Sequence, residues 1–281
     1  MSRHTSWRVG GPAELFFTPS DRADLAAFLT QLPGEVPLHW VGLGSNLLVR
    51  DGGLRGVVIS TRGALERLER EGETGVYAEA GVPCARLARR CVRWSLGPAA
   101  FFGGIPGSVG GALTMNAGAH GGETWRHVVE VETIDRRGIE HRRSAAEYSV
   151  GYRRVVGPVT GEWFLAARFR FEARPEASDR EIRELLERRA ASQPIGEWSC
   201  GSVFTNPPGD FAARLIEASG LKGHRIGDAS VSEKHANFIV NHGQASAAVL
   251  EELIRFVQET VARRQGVRLE TEVRIIGEAL R

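Results

Sequence analysis

The sequence predicts an α+β protein built from short elements, with a domain boundary near residue 190. Three observations predict this. Strand-like runs before that point follow one another without a helix between each pair, so the βαβ rhythm of a doubly wound sheet is missing. The richest glycine stretch, Phe101–Gly122, holds 8 glycines in 22 residues yet spells neither G-x-G-x-x-G nor G-x-x-x-x-G-K-[ST]. After a charged amphipathic stretch, Ser178–Ala191, the chain starts again with its own helices and a terminal strand.

Val9–Thr18 reads as a strand entered through a Gly-Gly-Pro turn. Asp21 can cap a helix running to Leu32, with Asp24 three residues on and Leu25, Phe28 and Leu29 on its apolar face. Leu38–Val41 and Leu47–Val49 are short strands flanking Gly42-Leu43-Gly44-Ser45-Asn46, and Val57–Ser60 is a buried strand. Gly75–Ala80 is another. Pro83–Trp94 is a helix with proline near its first turn and Leu87, Cys91 and Trp94 on one side. Val128–Asp135 and Ile139–Arg143 alternate as a hairpin through Arg136-Arg137-Gly138, and Phe164–Phe171 closes the region. Phe211–Ser219 is a helix ending at Gly220, and Phe238–Asn241 is a strand. Ser246–Gln265 is a long helix stopped by Gly266, and Leu269–Ile276 is the last strand.

A formal net charge of +2 without a basic stripe gives no special affinity for nucleic acid. No window approaches the roughly 18 apolar residues of a spanning helix. The N-terminal MSRHTSWRVGG lacks an apolar signal core. Three cysteines, an odd number in so long a chain, indicate a reducing compartment, so a cytoplasmic setting is expected. Cys84 and Cys91 are too few for structural zinc and read as core thiols; no metal is expected. Of 36 Lys and Arg only Lys222 and Lys234 are Lys, and asparagine occurs five times. Where Arg serves everywhere else, a retained Lys points to work for a compact cation, such as binding phosphate.

Glycine accepts φ > 0 and lets backbone N–H groups approach an anion, so Phe101–Gly122 suits a phosphate cradle. A tight series of turns explains the same glycines about as well. In the GLGSN turn, Ser45 and Asn46 could hold phosphate or ribose, with a plain hairpin turn as the rival reading. Arg153, in YSVGYRR, could grip a carboxylate bidentately; taken alone, an exposed basic turn is the more economical account. Ser202, in SCGSVFTNPP, can present its hydroxyl at a bend or simply cap a turn. Cys200 is a rival nucleophile without an evident base. Gly220–Asn241 holds both lysines and suits a phosphate or sugar. Alternation in TEVRII puts Glu272 and Arg274 on one face, either as an outward ion pair or with Glu272 as a buried acid.

Taken together, seven segments resemble, in order and over nearly the whole chain, the UDP-N-acetylenolpyruvoylglucosamine reductase (MurB) family of peptidoglycan synthesis. They are HTSWRVGGPAE, VGLGSNLLVRDGG, GGIPGSVGGALTMNAGA, the GYR at 151–153, CGSVFTNP, GLKGHRIGDASVSEKHANFIVN and TEVRIIG. The resemblance implies a two-lobed FAD-binding domain of the vanillyl-alcohol-oxidase (PCMH) type plus a C-terminal α+β substrate-binding domain. Residues 1–60 with 268–281 would form the first lobe, 61–177 the second, and 190–267 the UDP-sugar domain. It implies non-covalent FAD on Gly42, Gly44, Ser45, Asn46 and Leu47, on Gly103, Gly104, Ile105, Pro106, Gly107, Ser108, Gly110 and Gly111, and on Asn116, Ala117 and Gly118.

By the same likeness NADPH is the hydride donor and UDP-N-acetylenolpyruvylglucosamine the substrate. Ser202 would give the proton to the carbon beside the substrate carboxylate, with Arg153 and Glu272 near that carboxylate. Asn206, Lys222 and His235 match substrate-contacting positions, with Lys234, Tyr152 and Arg189 as further candidates. Some members carry an inserted Tyr loop after the GYR segment. Here Arg153 runs within ten residues to Trp163, so the chain resembles the shorter type. No nucleic-acid or membrane partner is implied, and a monomer is expected. An alternative of the same fold is an FAD-dependent oxidase or dehydrogenase acting on an alcohol or 2-hydroxy acid, which leaves the lysines and the Ser202–Glu272 pairing without purpose. A non-catalytic nucleotide-binding module is a third reading.

Overall fold

The computed structural model describes residues 1–280, and the chain divides into two compact units. One comprises Phe16–Leu43 and Val57–Arg188; the other comprises Met1–Leu15, Gly44–Gly56 and the chain from Arg189 onward.

The first unit is organised on a five-stranded antiparallel sheet. Its order is Glu140–Ser144, Val128–Asp135, Glu162–Arg170, Gly75–Glu79, Leu68–Glu71. Val76, Val131, Ala167 and Phe169 of this sheet share one core with Leu87 and Cys91 of the helix Cys84–Arg93 and Leu113 of the helix Val109–Met115. Cys84 and Cys91 lie in that core, where burial pushes both thiols up to about 12, so they are inert as the sequence suggests. A second layer sets the helix Arg22–Gln31 over a parallel strand pair, Leu38–Val41 with the part of Leu54–Ser60 that begins at Val57. Leu25, Leu29, Val57 and Ile59 form its core. Asp21 caps this helix, its Oδ1 accepting the Asp24 N–H at 2.8 Å.

The helix Val109–Met115 is absent from the expectations above, because Gly110 and Gly111 each disfavour helix by about 1 kcal/mol. Tertiary contacts override that penalty: the Val109 and Gly110 N–H groups donate to the Val82 and Ala80 carbonyls, both at 2.9 Å. The edge strand Leu68–Glu71 and the small hairpin Ser149–Gly151/Arg154–Val156 are likewise additions.

An ionic network ties elements of this unit. Arg22 donates to Glu132 at 2.6 Å and to Glu79 at 3.2 Å, and Arg168 donates to Glu132 at 2.7 Å and Glu130 at 2.8 Å. Arg22, Glu79, Glu132 and Arg168 line a polar hollow of about 400 Å³ that contains none of the site residues expected from sequence. Burial pushes the Glu132 carboxyl up, but hydrogen bonds from Arg168 and Arg22 outweigh it and hold the group below the usual range. A folded value below the unfolded one of about 4.3 means stability that is present above that pH and lost as pH falls through the folded value. Glu132→Gln is therefore expected to destabilise by about 1–3 kcal/mol near neutral pH, with the two proteins converging in acid. Thermal unfolding from pH 7 to 3 checks this; a difference independent of pH would contradict it.

The second unit is built on the helix Ala247–Gln265. Ser246 Oγ accepts the Val249 N–H at 3.2 Å, and Asp51 takes the Ala247 and Ala248 N–H groups at 3.0 and 2.9 Å. Gly266, at φ +70°, ends it. Leu250, Leu253, Ile254 and Val257 on its inner face pack with Trp7, Phe204 and Ile216. A three-stranded antiparallel sheet, Arg225–Ile226, Ala229–Val231 and Ile239–Asn241, and a parallel pair, Leu47–Val49 with Arg274–Ile276, complete it.

The last strand is shorter than expected. Only Arg274–Ile276 pairs as strand, because Phe204 bridges Thr271 and the Thr205 N–H takes the Glu270 carbonyl at 2.9 Å. Glu272 sits in a bend, so the alternation that would put it on one face with Arg274 does not apply.

Candidate active site

In the first unit, the glycine-rich stretch and the GYR turn meet at Asn116. Asn116 ends the helix Val109–Met115 in the left-handed region, at φ +41°. It is 2% exposed; its Nδ2 donates to the Gly151 carbonyl at 3.2 Å and its Oδ1 accepts the Trp125 N–H at 3.1 Å. Arg153, at φ +55°, donates to the Asn116 carbonyl at 3.5 Å, and its guanidinium lies 5.3 Å from the Tyr152 ring centroid. Asn116 thus couples the cradle to Arg153, while Tyr152 stays exposed.

Most glycines of the cradle have reasons that involve no ligand. A Cβ on Gly104 would lie 2.9 Å from Ala119 Cβ, one on Gly110 2.9 Å from Ala80 Cβ, and one on Gly118 2.4 Å from the Gly122 carbonyl oxygen. Gly103 would meet Ile182 at 3.1 Å. Gly111 differs: it is exposed, its φ is not positive, and the nearest neighbour to a Cβ there is Ser108 Oγ at 3.9 Å. Ser108 Oγ is itself buried without a hydrogen-bond partner among the described residues, and a Cβ on Gly42 would strike it at 2.5 Å. A buried hydroxyl without a partner beside a glycine kept bare without packing cause fits a bound group that brings its own acceptors close to the backbone. FAD has such a group in its diphosphate. Ile105, Pro106, Gly107 and Ala117 belong to the same stretch, in which the Gly107 carbonyl accepts the Cys84 N–H at 2.9 Å.

In the second unit, Gly44 has φ +65°, and a Cβ there would lie 1.9 Å from the His4 carbonyl oxygen. The turn is held on the other side by the Ser6 N–H, which donates to the Gly44 carbonyl at 3.1 Å. Asn46 Nδ2 donates to the Glu272 carbonyl at 3.0 Å, and the Asn46 carbonyl accepts the Arg274 N–H at 3.1 Å. Asn46 therefore holds the bend of Glu272, while Ser45 and Leu47 flank it and Leu47 pairs with Arg274. From the opposite side, the Val203 carbonyl accepts the Glu272 N–H at 2.8 Å. Ser202, one residue before Val203, is thereby tied to Glu272 through the backbone, and its hydroxyl has no hydrogen-bond partner among the described residues. Cys200 is buried, and burial together with the nearby Glu272 charge raises its thiol well above the usual value. That removes Cys200 as a rival nucleophile.

A second group forms around Lys222. Its Nζ pairs with Glu217 at 3.0 Å, and its charge reaches His235. Burial first, and then Lys222, lowers the His235 imidazole below its usual value, so the ring is neutral at pH 7. His235 Nδ1 accepts the Asn237 N–H at 3.3 Å. Asn206 Oδ1 accepts the Ala212 N–H at 3.0 Å and so caps the helix Ala212–Ala218. Lys234 Nζ donates to the Ala190 carbonyl, and Arg189 Nε donates to Gln193 at 2.9 Å.

The FAD binding domain matches residues 13–143, and the C-terminal domain of UDP-N-acetylenolpyruvoylglucosamine reductase matches residues 193–276. The UDP-N-acetylenolpyruvoylglucosamine reductase of Alkalilimnicola ehrlichii is 59% identical over 280 residues, covering 99% of this chain and 93% of its own. This chain belongs to that reductase family. The Methylococcus capsulatus reductase is 56% identical over 280 residues, covering 99% of this chain and 92% of its own. The crystal structure of the Thermus caldophilus enzyme (MurB) superposes with a TM-score of 0.83 at 36% identity, covering 98% of this chain and 96% of the other. The MurB match agrees with the α+β class and the FAD-binding assignment read from the motifs.

Within this MurB chain, Ser202, Glu272 and Asn46 form one constellation, and Lys222 and His235 another. Asn237, which bonds both the Val203–Phe204 segment and His235, escaped the motif reading; its scarcity as one of five asparagines was the available signal. Among the described residues no helix is long and apolar enough to cross a membrane.

Proposed function

We propose that this chain is an NADPH-dependent flavoenzyme that reduces the enolpyruvyl ether of UDP-N-acetylglucosamine to UDP-N-acetylmuramate, a step of cell-wall biosynthesis. The observation that carries the reading is the hydroxyl of Ser202, without a hydrogen-bond partner among the described residues, on a segment whose backbone is bonded directly to Glu272. FAD, once bound and reduced by NADPH, would supply the hydride for the terminal CH₂ carbon of the enolpyruvyl group. The C=C electron pair then moves to the carbon beside the carboxylate, and Ser202 gives that carbon its proton. Solvent restores the serine proton. Glu272 is proposed beside the same carboxylate, where it would need to be protonated or hydrogen-bonded to tolerate the like charge. Arg153 is assigned to the same carboxylate through its planar fork.

Gly42, Gly44, Ser45, Asn46 and Leu47 are proposed to hold FAD, together with the stretch from Gly103 to Gly111 and Asn116–Gly118. Ser108 Oγ and the Gly111 backbone are the strongest of these. Lys222 is proposed for the substrate diphosphate, exchanging Glu217 for phosphate oxygens, with neutral His235 beside it as a hydrogen-bond donor through Nε2. Asn206, Lys234, Tyr152 and Arg189 are proposed with them, although Asn206, Lys234 and Arg189 already have partners within the chain. The three-part division at 1–60 with 268–281, 61–177 and 190–267, a cytoplasmic setting and a monomeric state belong to the same proposal. Family membership leaves the oxidase and binding-module readings without support.

The test is anaerobic. NADPH is expected to bleach the flavin of the purified protein, and UDP-N-acetylenolpyruvylglucosamine is expected to restore the oxidised spectrum without oxygen. Colour that returned only in air would contradict the proposal.

A further inference from the structure

We propose that Asn237 is a positioning residue for the proton-transfer step, holding the Ser202 segment in register with the turn that carries His235. The proposal rests on the reading of Ser202 as proton donor. Asn237 is 3% exposed. Its Oδ1 accepts the Phe204 N–H at 2.9 Å and its Nδ2 donates to the Phe204 carbonyl at 2.8 Å. Its own carbonyl accepts the Val203 N–H at 2.9 Å. Three hydrogen bonds thus fix the two residues that follow Ser202, and the side-chain amide replaces a strand partner. The Val203 carbonyl, facing the other way, accepts the Glu272 N–H at 2.8 Å. Ser202 therefore stands at the end of a short clamp, with Asn237 on one side and Glu272 on the other.

The chemistry of the side chain is specific. Phe204 presents one donor and one acceptor, and only a primary amide offers both complements in one plane. Aspartate would set a carboxylate oxygen against the Phe204 carbonyl, and glutamine adds a methylene with no room in so buried a place. On its other side the Asn237 N–H donates to His235 Nδ1 at 3.3 Å, and the turn is closed by Ser232 Oγ, which accepts the Lys234 and His235 N–H groups at 3.2 and 3.4 Å. The same residue thus sets the substrate turn and the donor segment relative to each other. A displacement of about 1 Å at a reacting group can lower a rate roughly a hundredfold.

The test uses the FAD-loaded enzyme with Asn237→Ser and Asn237→Thr, assayed below their unfolding temperatures. Asn241→Ser serves as a control, because Asn241 is also buried and bonds the Trp7 carbonyl at 2.8 Å but not Val203 or Phe204. Flavin reduction by NADPH is expected to keep the parent rate in all three. Reoxidation by the enolpyruvyl substrate is expected to fall roughly ten- to a hundredfold in the Asn237 variants, with a larger solvent deuterium isotope effect, and to be unchanged in Asn241→Ser. Both replacements keep a hydroxyl that can serve only one of the two Phe204 groups at a time, so the two variants are expected to slow alike. A parent rate and isotope effect in both Asn237 variants would overturn the proposal, as would equal slowing in Asn241→Ser. Ser202→Ala is measured alongside: if that variant reoxidises normally, the proton-donor reading itself has failed, whatever Asn237 does.

Discussion

Ser202→Ala is expected to lower turnover by about 10²–10⁴-fold, the range for losing a positioned acid, while NADPH still reduces the flavin at the parent rate. The side chain removed makes no hydrogen bond among the described residues, so its loss leaves no orphaned partner and stability is expected to hold. The Val203 and Phe204 bonds to Asn237 and Glu272 involve backbone groups beyond position 202 and persist. The effect should therefore fall on kcat for the substrate half-reaction and leave substrate affinity within about threefold, as for an interaction made only in the transition state. Rapid-mixing measurement of the two half-reactions checks this. Equal slowing of both, or an unchanged substrate half-reaction, would remove Ser202 from the chemistry.

Gly111→Leu is expected to separate folding from flavin binding. Gly111 is exposed on a helix, lies outside the left-handed region, and has no neighbour closer to a Cβ position than Ser108 Oγ at 3.9 Å. Leucine there should favour the helix by about 0.5–1 kcal/mol over glycine and raise the unfolding temperature of the apoprotein. If the bare backbone at Gly111 exists to admit the FAD diphosphate, the same side chain excludes it. Each hydrogen bond to a charged oxygen contributes about 1.5–3 kcal/mol, so losing one or two weakens FAD by roughly ten- to a thousandfold or more. Thermal unfolding of apoprotein and flavin titration read the two effects separately. Parent-like FAD affinity in a folded variant would move the cradle away from Gly111. Gly110→Leu offers no such separation, since a Cβ there already meets Ala80 at 2.9 Å.

That contrast shows how far the sequence could be read. Glycine density marked Phe101–Gly122 as special, but Gly104, Gly110 and Gly118 are bare because neighbouring Cβ or carbonyl atoms crowd them. Those neighbours come from elsewhere in the unit or across a local turn, so composition could not separate packing glycines from a ligand glycine. The elements with strong local signals were legible: Asp21 capping Arg22–Gln31, the apolar face and Gly266 stop of Ala247–Gln265, and the central strands of the antiparallel sheet. The helix Val109–Met115 was not, because hydrogen bonds to Val82 and Ala80 outweigh the low propensity of its glycines. The alternation that singled out Glu272 does not hold, since it lies in a bend and not in an alternating strand. Asn46 reads from sequence as a phosphate or ribose ligand, and its Nδ2 also holds the Glu272 carbonyl, a contact no local pattern announces. Roles of this kind depend on partners about 226 positions away in sequence, beyond the reach of any local pattern. Ordered motifs over the whole chain carried the functional reading where single residues could not.

The central claim is a C=C reduction in which the chain's own acid protonates the carbon beside the carboxylate. Turnover in D₂O with unlabelled NADPH, followed by NMR of the product, tests it most directly. One solvent deuterium on that carbon is the predicted result, with the new methyl group taking the hydride of NADPH or the deuterium that replaces it by exchange on the reduced flavin. The hydride of NADPH on the carbon beside the carboxylate, with no solvent deuterium there, would contradict it.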